Sequence, residues 1–334
     1  MTERPRILVT QRVHADVASR LAGLGELDLH EGPEPLDPHA LAHRLAGATA
    51  MIGFMTDRID RRALRHAARL RVVAAALKGW DGYDAAACAE AGAWLTIVPD
   101  LLTEPTAELA IGLSIALGRR VREGDARVRD GRFAGWRPVL YGSGLAGSTV
   151  AILGMGRVGR AIAARLAGFG CAAVLGVDRP GIAMPEGIVP ATLDDALARA
   201  DRIFVALPLD GSTRHLVDAS AIERSRHGTL WINVGRGSVV DEAAMAMALA
   251  SGWAGGYAAD VFGFEDASLE DRPRRIDPLL LAHPRTVFTP HLGSAVTEVR
   301  RAIEHRAVDN VEAVLHGRVP PDAVNLPRRS GPTA

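Results

Sequence analysis

The stretch that most constrains this chain is "TVAILGMGRVGRAIAARLAGFG" (149–170), followed by "VLGVD" (174–178). An apolar run leads straight into Gly154, Gly156 and Gly159 at G-x-G-x-x-G spacing, after which Val158, Ile162, Leu166 and Phe169 recur at helical intervals. Strand, glycine turn and helix in that order predict the first βα unit of a doubly wound α/β sheet. The first glycine permits a tight turn, the second lets backbone approach a pyrophosphate, and the third lets helix pack on strand. The helix amino terminus adds N–H groups and the positive end of its dipole. Asp178 closes the second strand 19 residues after Gly159. A carboxylate there accepts hydrogen bonds from a ribose 2′-hydroxyl and repels a 2′-phosphate. A glycine turn that merely packs needs neither the strand nor the carboxylate, so dinucleotide binding is the better reading. Arg179 follows directly: its guanidinium either pairs with a 2′-phosphate or lies over the adenine or in solvent, and NAD is favoured over NADP.

The rest of the chain repeats the alternation. Ile7 to Thr10 precedes a helical pattern from Val13 to Leu24, and Ala50 to Met55 and Leu70 to Leu77 are further strand-like runs. This predicts βαβ units and mostly parallel sheets. The stretch "EGPEPLDPH" (31–39) is a loop by its prolines, and "VPPDAVNLPRRSGPTA" at the end reads as a loosely held tail. The helix in "TEPTAELAIGLSIALGRR" (103–120) is apolar on nearly every face, as a helix buried in one domain or between two bodies would be.

Composition excludes several function classes. Thirty-nine basic residues balance 39 acidic ones, so no overall field attracts nucleic acid or an anionic membrane. Cys88 and Cys171 are the only cysteines, too few for a disulfide framework or a metal-ligand cluster, and both are expected to fill apolar space. No run reaches the roughly 18 apolar residues of a membrane span, and the first residues lack a signal-peptide stretch. A cytoplasmic enzyme or binding protein without a metal is the expectation.

Three later segments, "WINVGRGSVVDEAAMAMALASG" (231–252), "GGYAADVFGFED" (255–266) and "TVFTPHLGSA" (286–295), each carry a strand into a polar turn. Ligands of doubly wound sheets sit outside the carboxyl ends of the strands. Arg236, Asp260, Glu265 and His291 are therefore expected near the reactive end of the cofactor. Taken singly, each has an ordinary structural explanation. Together they supply a cation for an anionic substrate, a histidine able to move a proton, and a carboxylate able to orient it. A separate turn, "ALKGWDGYD" (76–84), sets Lys78 beside Gly79 in a Gly/Asp-rich bend. Either this is a surface lysine or its ammonium faces a ligand that the turn's backbone approaches.

The glycine loop with its acidic residue, "NVGRGSVVDE", "ADVF" with its following Glu, and "TPH" together resemble the D-2-hydroxyacid dehydrogenase family over essentially the whole chain. The resemblance implies two Rossmann-like doubly wound domains. A substrate (lid) domain would be assembled from residues 1–103 and 295–334, an NAD-binding domain from 104–294, and the molecule would be a homodimer. It implies catalytic roles for Arg236, Glu265 and His291. Cofactor contacts would come from Gly154, Gly156, Arg157, Val158, Gly159, Asp178, Arg179, Leu207, Pro208, Val234, Asp260, Gly293 and Ser294.

Two departures bear on the substrate. Most family members carry a small residue where Lys78 stands, and a proline where Asp266 follows Glu265. These features, with "FMTDRID" (54–60), "GWRPVLYG" (135–142) and "HLGSAVTEVR" (291–300), resemble the phosphonate (phosphite) dehydrogenases within the family. That resemblance implies a substrate site of Met55, Lys78, Gly79, Trp136, Tyr141 and Arg300. Phosphite, a compact dianion near neutral pH, would use Arg236 and Lys78 together. In that reaction water attacks phosphorus as the P–H hydride leaves for the nicotinamide, and His291 either takes the water's proton or orients the anion. Two alternatives stand beside it: a dehydrogenase of a small 2-hydroxy acid, and an NAD-sensing binding protein akin to the family's corepressor relatives.

Overall fold

Val72–Ala75 (VVAA) and Ala50–Gly53 (AMIG) are apolar or small and buried at every position, as parallel strands covered on both faces must be. Such strands organise the computed structural model, which describes residues 4–328 and divides into two compact units. The first unit takes residues up to Leu102, Ala267–Glu270, and residues from Val296 on. Its elements begin β1 (Arg6–Val9), α1 (Ala15–Leu24), β2 (Glu26–Leu29), α2 (Pro38–Ala46), β3 (Ala50–Gly53), α3 (Arg61–Leu64), β4 (Val72–Ala75), α4 (Ala85–Glu90) and β5 (Trp94–Thr96). Asp37, Asp60 and Asp84 accept first-turn N–H groups and so start α2, α3 and α4. The five parallel strands lie in the order β2-β1-β3-β4-β5, with the order reversing between β1 and β3. Leu8, Met51, Val73 and Leu95 point into one core, and Ile7, Val9, Ile52 and Val72 into the other.

The second unit holds Thr103–Asp266 and Asp271–Ala295. It contains α5 (Thr103–Gly118), α6 (Val121–Arg129), β6 (Thr149–Leu153), α7 (Arg157–Leu166), β7 (Ala173–Val177), β8 (Val189–Pro190), α8 (Leu193–Arg199), β9 (Arg202–Val205), α9 (Ala219–Arg224), β10 (Leu230–Asn233), α10 (Glu242–Ala250), β11 (Gly256–Ala259), α11 (Pro278–Ala282) and β12 (Thr286–Phe288). Its seven strands run β12-β11-β10-β9-β6-β7-β8, and adjacent strands are parallel. This is the Rossmann order with one added edge strand, reversing between β6 and β9. Both units are thus doubly wound α/β sheets. The apolar helix read at 103–120 is α5, a core helix of this unit: Ala107, Ala110, Ile111, Leu113 and Leu117 pack with Val150, Ile152, Phe204 and Ile232 on one face of the sheet. Phe169 falls outside α7, in a 3-10 turn (Ala167–Phe169), where it is exposed.

The chain returns to the first unit as α12 (Thr297–Leu315), whose Ile303, Ala307, Val308 and Val311 complete the core over Ile7, Val9 and Ile52. The expectation of a loosely held tail is corrected as far as residue 328. Ile97 N–H donates to the Asp322 carbonyl (3.2 Å) and Val324 N–H to the Leu95 carbonyl (2.9 Å). The Asn325 side chain accepts from Leu95 N–H (2.7 Å), and Arg306 pairs with Asp322 (2.7 Å). Backbone hydrogen bonding that a Pro-rich composition hides pins this segment beside β5. The remaining residues of that tail, 329–334, lie outside the described ones. Cys88 is buried in the first unit's core and Cys171 is half-buried. Among the described residues no helix is long and apolar enough to cross a membrane, and no cluster of three or more His, Cys, Asp or Glu has metal-holding geometry.

Candidate active site

The glycine loop shows one physical reason for each glycine. Gly154 sits at φ +96°, and a Cβ there would lie 2.8 Å from the Ala206 carbonyl oxygen, across the β6/β9 reversal point. At Gly159 a Cβ would come 1.9 Å from the Gly154 carbonyl oxygen, so helix and loop meet backbone to backbone. Gly156 precedes α7, caps it with no side chain, and has nothing within 4 Å of the Cβ position. Open space at the end of a ten-residue helix with unsatisfied N–H groups fits a dinucleotide pyrophosphate. The Asp178 carboxylate accepts from Met155 N–H and Arg179 N–H, both at 2.7 Å, and so grips the glycine loop from the end of β7. Arg179 and Arg157 are exposed and Val158 is half-buried. Leu207 and Pro208 follow β9, and a Cβ at Gly235 would lie 2.5 Å from the Leu207 carbonyl oxygen. That contact brings the turn after buried Val234 against the one after β9.

β10, β11 and β12 are neighbours in register, with Asn233 opposite Ala259 and Ala259 opposite Phe288. Their carboxyl ends therefore deliver Arg236, Glu265 and His291 to one side of the sheet. Asn233 shapes the first turn, donating to the Arg236 carbonyl and accepting from Gly235 N–H, both at 3.0 Å. Arg236 is half-buried, with Nη1 on the Gly235 carbonyl at 2.9 Å. A Cβ at Gly237 would sit 1.9 Å from the Phe262 carbonyl carbon, so this turn lies directly on the one that carries Glu265. That second turn is fixed by its own carboxylate: Glu265 Oε1 accepts from Phe262 N–H at 2.8 Å. Its Oε2 meets His291 Nδ1 at 2.7 Å.

Asp260 organises the histidine loop. Buried to 2% exposure, it accepts from Thr289 Oγ1 (2.6 Å), Leu292 N–H (2.7 Å) and Gly293 N–H (2.8 Å). Its carbonyl takes His291 N–H at 2.9 Å. Burial pushes its carboxyl above the usual range, and these hydrogen bonds oppose the rise. The loop holds His291 at φ +56°, a left-handed conformation that a non-glycine residue keeps only when its surroundings enforce it. Thr106 Oγ1 donates to the buried Gly293 carbonyl (3.2 Å), and Ser294 is half-buried.

In the first unit, Lys78 and Gly79 follow β4, and Met55 follows β3 on the same sheet edge. Lys78 is half-buried, Gly79 is exposed and Met55 is 38% exposed. Arg300, in the first turn of α12, donates to the Ala76 carbonyl (3.3 Å), and its guanidinium stands 5.7 Å from the Phe54 ring centre. Burial lowers its pKa. The Met55 loop is braced by Asp57, buried to 3% exposure, which accepts from Thr10 Oγ1 (2.5 Å) and Phe54 N–H (2.8 Å). Trp136 and Tyr141 belong to the second unit and are 77% and 74% exposed. They lie between α6 and β6 in a segment without helix or strand.

The family model for "D-isomer specific 2-hydroxyacid dehydrogenase, NAD binding domain" matches residues 111–293. The chain belongs to this family. The glyoxylate reductase of Aeropyrum pernix is 34% identical to it over 330 residues, 97% of this chain and 96% of that protein. The glyoxylate reductase of Korarchaeum cryptofilum is 32% identical over 326 residues, 96% of each. Among solved structures, a protein of Thermus thermophilus superposes with a TM-score of 0.87 at 36% identity, covering 96% of this chain and 99% of that one. An NADPH-dependent glyoxylate/hydroxypyruvate reductase of Sinorhizobium meliloti, in complex with NADP and malonate, gives 0.83 at 30% identity, covering 98% and 100%.

This 2-hydroxyacid dehydrogenase therefore carries its NAD-binding domain in the second unit. We expect Asp178 to set the choice of dinucleotide, because its charge stands at the end of β7 where a 2′-phosphate would lie. Asp178→Ala should shrink the ratio of kcat/KM for NAD over NADP by about tenfold or more, at about 1.4 kcal/mol per tenfold. An unchanged ratio would remove Asp178 from the selection. Sequence reading missed Asn233, Glu242 and Asp266, whose side chains bind backbone of the neighbouring turns, and Thr289, whose hydroxyl donates to the Asp260 carboxylate. The one available signal was the acidic residue in place of proline after Glu265. Asp266 is buried to 3% exposure and accepts Ser238 N–H at 2.7 Å, tying the Glu265 turn to the Arg236 turn.

Proposed function

We propose that this enzyme interconverts a small 2-oxo acid and its 2-hydroxy acid, with glyoxylate as the first substrate to test. The observation that carries the reading is the 2.7 Å pairing of His291 Nδ1 with Glu265 Oε2 at the carboxyl ends of an NAD-binding sheet. A protein that only senses NAD needs no oriented histidine there. The nicotinamide, when bound, supplies or receives the hydride; the loop of Gly154, Gly156 and Gly159 with Asp178 would hold the dinucleotide. With Nδ1–H directed at Glu265, His291 keeps Nε2 for the substrate oxygen, giving it a proton on reduction and taking one on oxidation. Arg236 pairs with the substrate's negative oxygens. Lys78 and the Gly79 N–H are assigned to its carboxylate, and Arg300 is assigned to hold the 76–79 turn through the Ala76 carbonyl.

The relatives named glyoxylate reductase support this reading over the phosphite oxidation expected from "ALKGWDGYD". Phosphite remains the second reading because of one observation, the cation of Lys78 in the turn beside Arg300: a dianion uses two cations where a carboxylate is served by one. The test is to follow NADH with the purified enzyme, supplying NADH with glyoxylate, and NAD with phosphite or with glycerate. Glyoxylate turnover above phosphite turnover is expected. Faster phosphite oxidation would transfer the enzyme to the second reading, and turnover of none would leave a binding protein.

We also propose that the enzyme is a homodimer. Val121 and Val128 of α6 and Phe133, Trp136, Val139 and Tyr141 of the irregular segment that follows it are 45–77% exposed, large apolar groups close together in sequence that a second copy would cover. Light scattering should give twice the chain's mass, and Phe133→Asp with Trp136→Asp should give the single-chain mass. A monomeric wild type would overturn this.

A further inference from the structure

Glu242 opens α10 with 9% exposure, and its Oε1 accepts Gly263 N–H at 2.7 Å. Gly263 begins the 3-10 turn that ends at Glu265. The turn is therefore held by Glu242 on Gly263 N–H and by Glu265 on Phe262 N–H, and it packs directly against the Gly237 backbone. Behind Glu242 is a cavity of about 380 Å³, entirely within the second unit and bordered by His215, Asp241, Glu242, Arg274, Arg275 and Asp277. It is roomy enough for water and gives an otherwise buried carboxylate a path for proton exchange.

We propose that Glu242 is a positioning residue: its carboxylate clamps the turn that aims Glu265 at His291, and its protonation through the cavity tunes that clamp. The inference rests on the Glu265–His291 reading above and adds a third carboxylate acting through the second. The charged groups that face Glu242 are Glu265 and Asp266 on the clamped turn, Asp277 before α11, and Asp241, His215 and the two exposed arginines around the cavity.

Burial above all, with the charges of Asp266, Glu265 and Asp277, raises the Glu242 pKa from 4.5 to about 7; the Gly263 N–H opposes the rise. A carboxyl whose pKa is raised on folding contributes stability that is complete below about 4.5 and is lost as pH climbs through about 7. Within that window Glu242 changes from a neutral clamp into a charged one facing three other carboxylates, Asp266, Glu265 and Asp277.

Glu242→Ala and Glu242→Gln separate the possibilities. The alanine variant should lose about tenfold in kcat, about 1.4 kcal/mol, with NAD affinity within about twofold of wild type. Glutamine keeps an acceptor for Gly263 N–H without the charge, so it should recover most of the turnover. It should also flatten the fall in melting temperature between pH 5 and 8 and remove the ionisation near neutral pH from the kcat profile. Wild-type turnover in the alanine variant, or a glutamine variant with the unaltered melting and kcat profiles, would overturn the proposal. If the alanine variant does not fold, the glutamine profiles decide. Failure of the underlying reading looks different: His291→Ala would then stay active, whereas failure of this inference leaves His291→Ala inactive and Glu242→Ala active.

Discussion

Replacing His291 with alanine is expected to lower kcat by about a hundredfold or more while NAD affinity changes little, the usual contribution of a positioned acid or base. The structure gives the reason for both halves. His291 is held at φ +56° by Asp260 and oriented through Nδ1 by Glu265, so its geometry is imposed from two sides. The glycine loop that would grip the pyrophosphate lies elsewhere on the sheet, at the ends of β6 and β7. Alanine also relieves none of the loop's constraint, since the clasp of Asp260 on Leu292 and Gly293 N–H does not involve the imidazole. Single-turnover kinetics with glyoxylate would read the chemical step directly; near-normal turnover would take His291 out of the mechanism.

Lys78→Ala is expected to cost about ten- to a hundredfold in kcat/KM, the equivalent of about 1.5–3 kcal/mol for one charge-assisted hydrogen bond. NAD affinity should hold, because Lys78 lies in the first unit and the dinucleotide loop in the second. Lys78→Arg should rescue only in part, since a planar fork of longer reach does not reproduce a compact charge on a tight turn. The variant also tests the two substrate readings: a dianionic substrate should lose more than a singly charged carboxylate, because more of its charge depends on the ammonium. Kinetics matching wild type would mark Lys78 as an ordinary half-buried surface residue.

The dinucleotide half of this molecule was readable because it depends on short-range spacing. Gly154, Gly156 and Gly159 announce themselves by being glycine where any side chain would strike backbone or fill the pyrophosphate space. Asp178 is visible by its position at the end of a strand. Asp260 is legible by position, but what it and the other supports hold is not, because each joins segments far apart in sequence: Asp266 to Ser238, Glu242 to Gly263, and Asp260 to the loop at 292–293. A carboxylate that accepts a backbone N–H has the same sequence signature as a solvated one. Resemblance assigns Trp136 and Tyr141 to the substrate site, and within their own unit they are exposed. Pattern alone cannot distinguish an aromatic that packs from one that waits for a partner. The end of the chain hides its order for a related reason, since prolines advertise irregular backbone and conceal the hydrogen bonds irregular backbone still makes.

The first unit is interrupted by the second, and this has a consequence for biosynthesis. Arg300 on α12 meets the Ala76 carbonyl across 224 residues, and the apolar face of β1, β3 and β4 is covered by that same helix. At about 5–20 residues per second, roughly 10–45 s of translation separate the two. The nascent chain therefore completes the NAD-binding unit while Ile7, Val9, Ile52 and Val72 still lack their cover. For that interval the uncovered face of the amino-terminal sheet is open to misassociation, so the pace of decoding bears on the yield of folded enzyme independently of its final stability.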